Sequence, residues 1–189
     1  MNYKITCGID EAGRGSWAGP VVAAAVVLPE DYDLSGLNDS KKLSKKTRNE
    51  LFRKIISNYE FGVGFSSSKE IDEINILEAT FLAMDRAINN LKKIPDYALI
   101  DGNQFPKNFP VNGMSITKGD QKIPSISAAS VIAKVSRDNF MKKMSEIYPG
   151  YGWENNFGYG VKKHFLALKT LGITPIHRHS FKPIYNMLC

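Results

Sequence analysis

The sequence predicts an α/β domain built on a mixed sheet, and three observations carry that prediction. Five short segments have strand length and strand patterning. Longer segments with apolar residues three and four apart lie between and after them. No repeat, low-complexity tract or linker divides the chain. Ile5–Asp10 reads as the first strand. Val21–Leu28 is apolar on every residue, as a strand covered on both faces must be. Within Thr47–Asn58, the residues Leu51, Phe52, Ile55 and Ile56 share one helical stripe. Phe61, Val63 and Phe65 then alternate with Glu60, Gly62 and Gly64, the period of a strand. Ser67 followed three residues on by Glu70 resembles a capping box, and Leu77, Phe81, Met84, Ile88 and Leu91 mark a long helix behind it. Tyr97–Ile100 and Met114–Thr117 are short strands ending at Asp101-Gly102 and near Lys118-Gly119-Asp120. Ser125–Met144 and Val161–Leu171 have helical spacing, whereas Tyr148–Tyr159, around Trp153, reads as an aromatic, glycine-rich loop.

Composition removes several function classes. Hydrophobic residues make up 43% and charged residues 23%, which excludes a disordered chain. No apolar run approaches the roughly 20 residues of a membrane helix. Met1–Ile9 lacks a charged stretch followed by an apolar one, and two cysteines, Cys7 and Cys189, make no disulfide framework. A cytoplasmic, monomeric protein with no membrane partner is expected. The net charge of +6 lies wholly in the second half: residues 1–94 balance 13 basic against 13 acidic groups, and 95–189 carry 12 against 6. Such a surface suits a polyanion such as nucleic acid, or is a solvated basic helix face.

Four acids stand where strands meet loops. Asp10 and Glu11 end the first strand before Ala12-Gly13-Arg14-Gly15, Asp101 ends another, and Asp120 follows a third. Neighbours in a regular strand face opposite ways, so Asp10 and Glu11 converge only if the strand bends or stops there. Each acid alone is explained as a turn or helix cap. Together they would repel one another unless cations compensate, and an all-oxygen set selects Mg²⁺ or Mn²⁺ over zinc. His164, His177 and His179 are the only histidines and read as structural hydrogen-bonding groups.

A family resemblance rests on an ordered series of motifs. Gly8-Ile9-Asp10-Glu11-Ala12-Gly13-Arg14-Gly15 is followed by Ala18-Gly19-Pro20-Val21-Val22, Asp39-Ser40-Lys41-Lys42-Leu43-Ser44, Ile100-Asp101-Gly102 and Lys118-Gly119-Asp120. Ser127–Val135 with Arg137-Asp138, Gly158-Tyr159-Gly160 with His164, His177-Arg178 and Ser180-Phe181 complete it. The series resembles bacterial type 2 ribonuclease H, the ribonuclease HII family, over nearly the whole chain. Ser16-Trp17, Asn156, Phe157, Val161 and His179 depart from the family's usual residues.

The resemblance implies an RNase H-like fold in one domain, residues 1–189. About 1–145 would form the catalytic core, with its five-stranded mixed sheet flanked by helices, and 146–189 a helical C-terminal extension. It implies cleavage of RNA in RNA/DNA hybrids, and cutting 5′ of ribonucleotides embedded in duplex DNA, with 5′-phosphate and 3′-hydroxyl products. Asp10, Glu11, Asp101 and Asp120 would hold two divalent cations, Mg²⁺ or Mn²⁺, with Asp10 bridging, Glu11 and Asp101 serving one ion and Asp120 the other. Gly13, Arg14 and Gly15 would meet the ribonucleotide at its 2′-hydroxyl, and Tyr159 would pack on the next sugar. Lys42 and Arg178 are expected on the substrate, and Asp138 in an ion pair or behind the metal ligands.

Overall fold

A computed structural model describes residues 5–37 and 43–188. Lys41, Lys42 and Cys189 therefore lie outside the described residues. Its centre is a five-stranded mixed sheet: β1 (Thr6–Ala12), β2 (Val21–Val27), β3 (Glu60–Ser66), β4 (Tyr97–Asp101) and β5 (Asn112–Ile116). The order across the sheet is β3-β2-β1-β4-β5. β1, β2 and β3 pair antiparallel, and β1–β4 and β4–β5 pair parallel. The fold class expected from the sequence is the one observed.

Helices cover both faces. α1 (Lys45–Asn58) and α3 (Pro124–Ile147) close one side, and α2 (Ser68–Asn89) closes the other. Because strand residues alternate, β2 feeds both cores: Val21, Ala23 and Ala25 meet α2, while Ala24 and Val26 meet α1 and α3. That explains why its sequence is apolar throughout. α2 begins with the full capping box, Ser67 Oγ accepting from Glu70 N–H and the Glu70 carboxylate accepting from Ser67 N–H. The long helix is interrupted at Asn75, whose backbone leaves the helix at φ 68°. Asn75 Oδ1 accepts from the N–H groups of Leu77 and Glu78 at 2.9 and 3.2 Å, restarting the helix as a fresh N-cap.

The C-terminal part contains α4 (Trp153–Asn156), α5 (Lys162–Leu171) and α6 (Lys182–Leu188). Here the structure corrects the sequence reading of 148–159 as loop. Trp153 is wholly buried, stacked on Tyr151 with ring centroids 4.8 Å apart, in a third core with Ala18, Met141, Leu168 and Ile184. Gly152 and Phe157, both at positive φ, bracket the single turn of α4. The glycines in this stretch therefore frame a packed aromatic nucleus. A bridge between Ala18 and His177 ties it to the loop joining β1 and β2.

Candidate active site

Three elements deliver the acids. Asp10 lies within β1, Asp101 closes β4 beside it, and Asp120 sits on a 3₁₀ turn, Gly119–Gln121, that leads from β5 towards α3. One carboxylate oxygen from each of Asp10, Asp101 and Asp120 falls within 4.8 Å of the others. Main-chain donors orient two of them: Glu11 N–H donates to Asp10 Oδ1 and Gly119 N–H to Asp101 Oδ1, each at 2.7 Å.

Glu11 stands with Asp10 and Asp101 on the wall of one cleft, while its own carboxylate lies outside the three-acid cluster. β1 runs on through Ala12, past both acids, and its alternation starts their side chains from opposite faces of the sheet. Ile9 belongs to the α2 core and Ala12 packs against the α3 core, which puts Glu11 on the α2 side and Asp10 on the α3 side. Glu11 Oε1 accepts from Arg14 Nη1 at 3.2 Å. Its charge still reaches Asp10: burial first, then Glu11, Asp101 and Asp120, hold the Asp10 carboxyl well above its ordinary range. The cluster is chemically primed for a hard cation, which would relieve both the burial cost and the repulsion.

Asp10, Glu11 and Asp101 line a cleft of about 320 Å³ with Gly13, Arg14, Gly15, Lys134 and Tyr159 on its walls. A larger cleft, about 890 Å³ between α2 and residues 104–109, is lined by Leu77, Phe81, Phe105 and Phe109 and holds none of the four acids. Chemistry, not size, selects the smaller one. Its floor is a carboxylate cluster and its rim is a glycine-flanked arginine beside an aromatic ring.

The family model for ribonuclease HII matches residues 7–184. Among similar proteins, the ribonuclease HII of Pelagibacter ubique is 53% identical over 187 residues, covering 98% of this chain and 100% of the relative. The chain belongs to the ribonuclease HII family. It is an endoribonuclease of the ribonuclease H type. Solved structures agree: ribonuclease H2 from Pyrococcus horikoshii superposes with a TM-score of 0.78 at 30% identity, over 97% of this chain and 96% of that one. Ribonuclease HII from Archaeoglobus fulgidus, in its complex with PCNA, gives 0.80 at 29% identity, over 94% and 95%. No helix among the described residues is long and apolar enough to cross a membrane.

Within this ribonuclease HII chain, the remaining expected site residues separate. Gly13 needs its positive φ of 93° and the absence of a side chain, since a Cβ there would fall 1.9 Å from Arg137 Nε. Arg14 and Tyr159 are partly exposed at the rim. Arg178 is corrected: it is wholly buried, donating from Nε to Gly19 O and from Nη1 and Nη2 to the carbonyls of Arg14 and Gly13 at 2.7–2.9 Å. A guanidinium enclosed on every side cannot contact substrate; it sits behind the Gly13–Gly15 loop. Asp138 stands outside the acid cluster and pairs with Lys134 Nζ at 2.8 Å rather than with its neighbour Arg137. Lys42 lies outside the described residues.

Three polar wall residues were missed: Arg48 from α1, and Ser130 and Lys134 from α3. Lys134 Nζ also stands 4.8 Å from the Phe157 ring centroid and 5.9 Å from that of Tyr159. A signal existed. Ser127, Ser130, Lys134 and Asp138 form a polar stripe, three and four residues apart, along α3. His164 and His177, both buried, bond to each other Nε2 to Nε2 at 3.0 Å. Trp153 Nε1 donates to His164 Nε2, and His177 Nδ1 accepts from Thr174 N–H. They brace the third core.

Proposed function

We propose that this enzyme hydrolyses the RNA strand of RNA/DNA hybrids and cuts on the 5′ side of a ribonucleotide embedded in DNA, leaving 5′-phosphate and 3′-hydroxyl ends. The observation that carries the reading is the cluster of Asp10, Asp101 and Asp120, converging from three elements, beside the cleft in which Asp10, Glu11 and Asp101 face the Gly13–Gly15 loop and Tyr159. The donor set is all carboxylate oxygen, which fits Mg²⁺ or Mn²⁺ and not zinc. Asp10, Asp101 and Asp120 would hold the cations, with Glu11 beside them on the cleft wall. Bound there, two divalent cations supply Lewis-acid activation of water and stabilisation of the departing oxygen.

The chain's own residues do the rest. Asp10 and Asp101 are pre-oriented by main-chain N–H groups, so little reorganisation is needed on binding. Phosphates are alike in RNA and DNA strands, so only a group that touches the 2′-hydroxyl can find a lone ribose. Gly15, exposed and with nothing within 4 Å of where a Cβ would stand, leaves room beside Arg14 for a sugar close to Asp10 and Glu11. Tyr159, flanked by glycines, offers its ring to the following sugar. The basic C-terminal half supplies the sequence-independent attraction to phosphate.

The test is cleavage of two end-labelled duplexes, one a long hybrid and one DNA with a single ribonucleotide, with Mg²⁺ and Mn²⁺ in parallel. Cutting of both, at the 5′ side of the lone ribose, is expected. An enzyme that cuts the hybrid but ignores the single ribonucleotide reads several riboses at once, and the junction reading fails.

A further inference from the structure

Two buried arginines are not used by the chemistry above. Arg178 and Arg137 are 0% and 1% exposed, and the bonds they make go to main-chain carbonyls. Burying a guanidinium without a carboxylate partner is costly, and a fold keeps such a group where its fork of donors holds something in place. What these two hold is specific. Arg178 takes the carbonyls of Gly13, Arg14 and Gly19. Arg137 takes those of Ala18 and Pro20, and that of Phe157 on the opposite loop, at 2.9–3.0 Å.

The two loops are also knitted to each other. Trp17 and Ala18 N–H both donate to Gly158 O, at 2.8 and 3.3 Å, and Arg178 N–H donates to Trp17 O at 2.9 Å. The Arg137 guanidinium carbon lies 5.6 Å from the centroid of the Tyr159 ring. On the far side, Asn156 donates from Nδ2 to Tyr151 O and accepts from Gly158 N–H, fixing the approach to Tyr159. By contrast, Asp10, Asp101 and Asp120 are held by β1, β4 and the 3₁₀ turn, where neither arginine bonds.

We propose that Arg178 and Arg137 are positioning residues that lock the Gly13–Gly15 loop and Tyr159 into one rigid unit, and so set discrimination for a single ribose rather than the chemistry at the carboxylates. The inference rests on the ribose-reading role proposed above for that loop and ring. Removing the guanidinium fork frees carbonyls on one side of the reader and leaves the cation-binding side in place. A continuous hybrid offers the enzyme many registers in which a loosened reader still finds a ribose. A lone ribonucleotide offers one.

The experiment uses the full chain carrying Arg178→Lys, since a single ammonium cannot reproduce three planar donors. kcat and KM are measured on the long hybrid and on the single-ribonucleotide duplex, with a circular dichroism melt alongside. A folded variant is expected to lose at least about tenfold more kcat/KM on the single ribonucleotide than on the hybrid, because small misplacements of a reader are costly. An equal loss on both substrates, or none, overturns the proposal. Arg137→Lys removes the other set of carbonyl bonds and decides the matter if Arg178→Lys does not fold. A wild-type enzyme that ignores the single ribonucleotide overturns the ribose-reading function itself, and this inference with it.

Discussion

The two ends of the cleft are built by different means. The proposed cation end hangs on the sheet: Asp10 and Asp101 lie on adjacent paired strands, and Asp120 follows the next one. The proposed reading end hangs on loops, held by guanidinium–carbonyl bonds that join residues as far as 165 positions apart and by the buried Trp153–His164–His177 nucleus. A sheet fixes side chains through many cooperative bonds, so the acids need little outside help. A loop platform is only as rigid as its few long-range ties. Catalytic power and substrate choice should therefore separate under mutation.

The largest break is at the cation end. Asp101→Asn keeps the volume and the bond from Gly119 N–H while removing a charge, so the fold should persist and cleavage fall by about 100-fold or more, since even residues behind metal ligands are worth 10–100-fold. A melting temperature at or above the parent's is expected, because repulsion on Asp10 is relieved. Near-normal turnover would remove Asp101 from the site.

Next comes the third core. Trp153→Ala vacates a fully buried site and should cost about 3–5 kcal/mol in urea unfolding. Its activity on a single ribonucleotide should fail at a lower urea concentration than its activity on a long hybrid. Simultaneous failure would mean that the two ends of the cleft unfold as one.

A smaller effect is set by pH. Burial, then the neighbouring His164, holds His177 down to about 4 from its ordinary 6.5, and burial lowers His164 as well. A lowered folded-state pKa means that the unfolded chain takes up protons first as pH falls. Stability from this pair is complete above about pH 6.5 and is lost progressively towards pH 4, about 2 kcal/mol of it by pH 5 for His177 alone. Urea unfolding at these pH values should show the loss, and His177→Gln should flatten it. An identical slope in the variant would place the titration elsewhere.

The smallest effect is electrostatic. Neutralising exposed Lys162 and Lys163 should flatten the log–log salt dependence of hybrid binding by about 0.9 for each phosphate that no longer has a lysine beside it. An unchanged slope would show that these lysines face away from the substrate. Lys163 already has a partner in Glu154 at 3.4 Å, so its share should be the lesser.

What was legible in the sequence follows the same division. The strands, the capping box at Ser67 and the stripe of α1 are local patterns, and they read directly from residue spacing. Asp10, Asp101 and Asp120 were visible because strand ends mark themselves with apolar runs. Glu11 was visible beside Asp10, but the continuation of β1 through pairs with Ala23 and Val22, past the expected strand end, was not. Arg178 read as a basic surface residue, since no local pattern shows that carbonyls at positions 13, 14 and 19 enclose it. Trp153 read as loop for the same reason: its burial comes from Ala18, Met141 and Ile184. Asn75 breaks α2 through its own side chain, a device hidden inside a stretch with good helical spacing.

The proposed catalysis requires three acids from three segments to act as one cation site. The direct measurement is Mn²⁺ binding, followed by the paramagnetic resonance of the free ion, in the parent enzyme and in Asp10→Asn and Asp120→Asn. Each single substitution should weaken binding by about tenfold or more. If both variants bind Mn²⁺ as the parent does, the carboxylates are neighbours without a shared ion, and the cation site is not where Asp10, Asp101 and Asp120 meet.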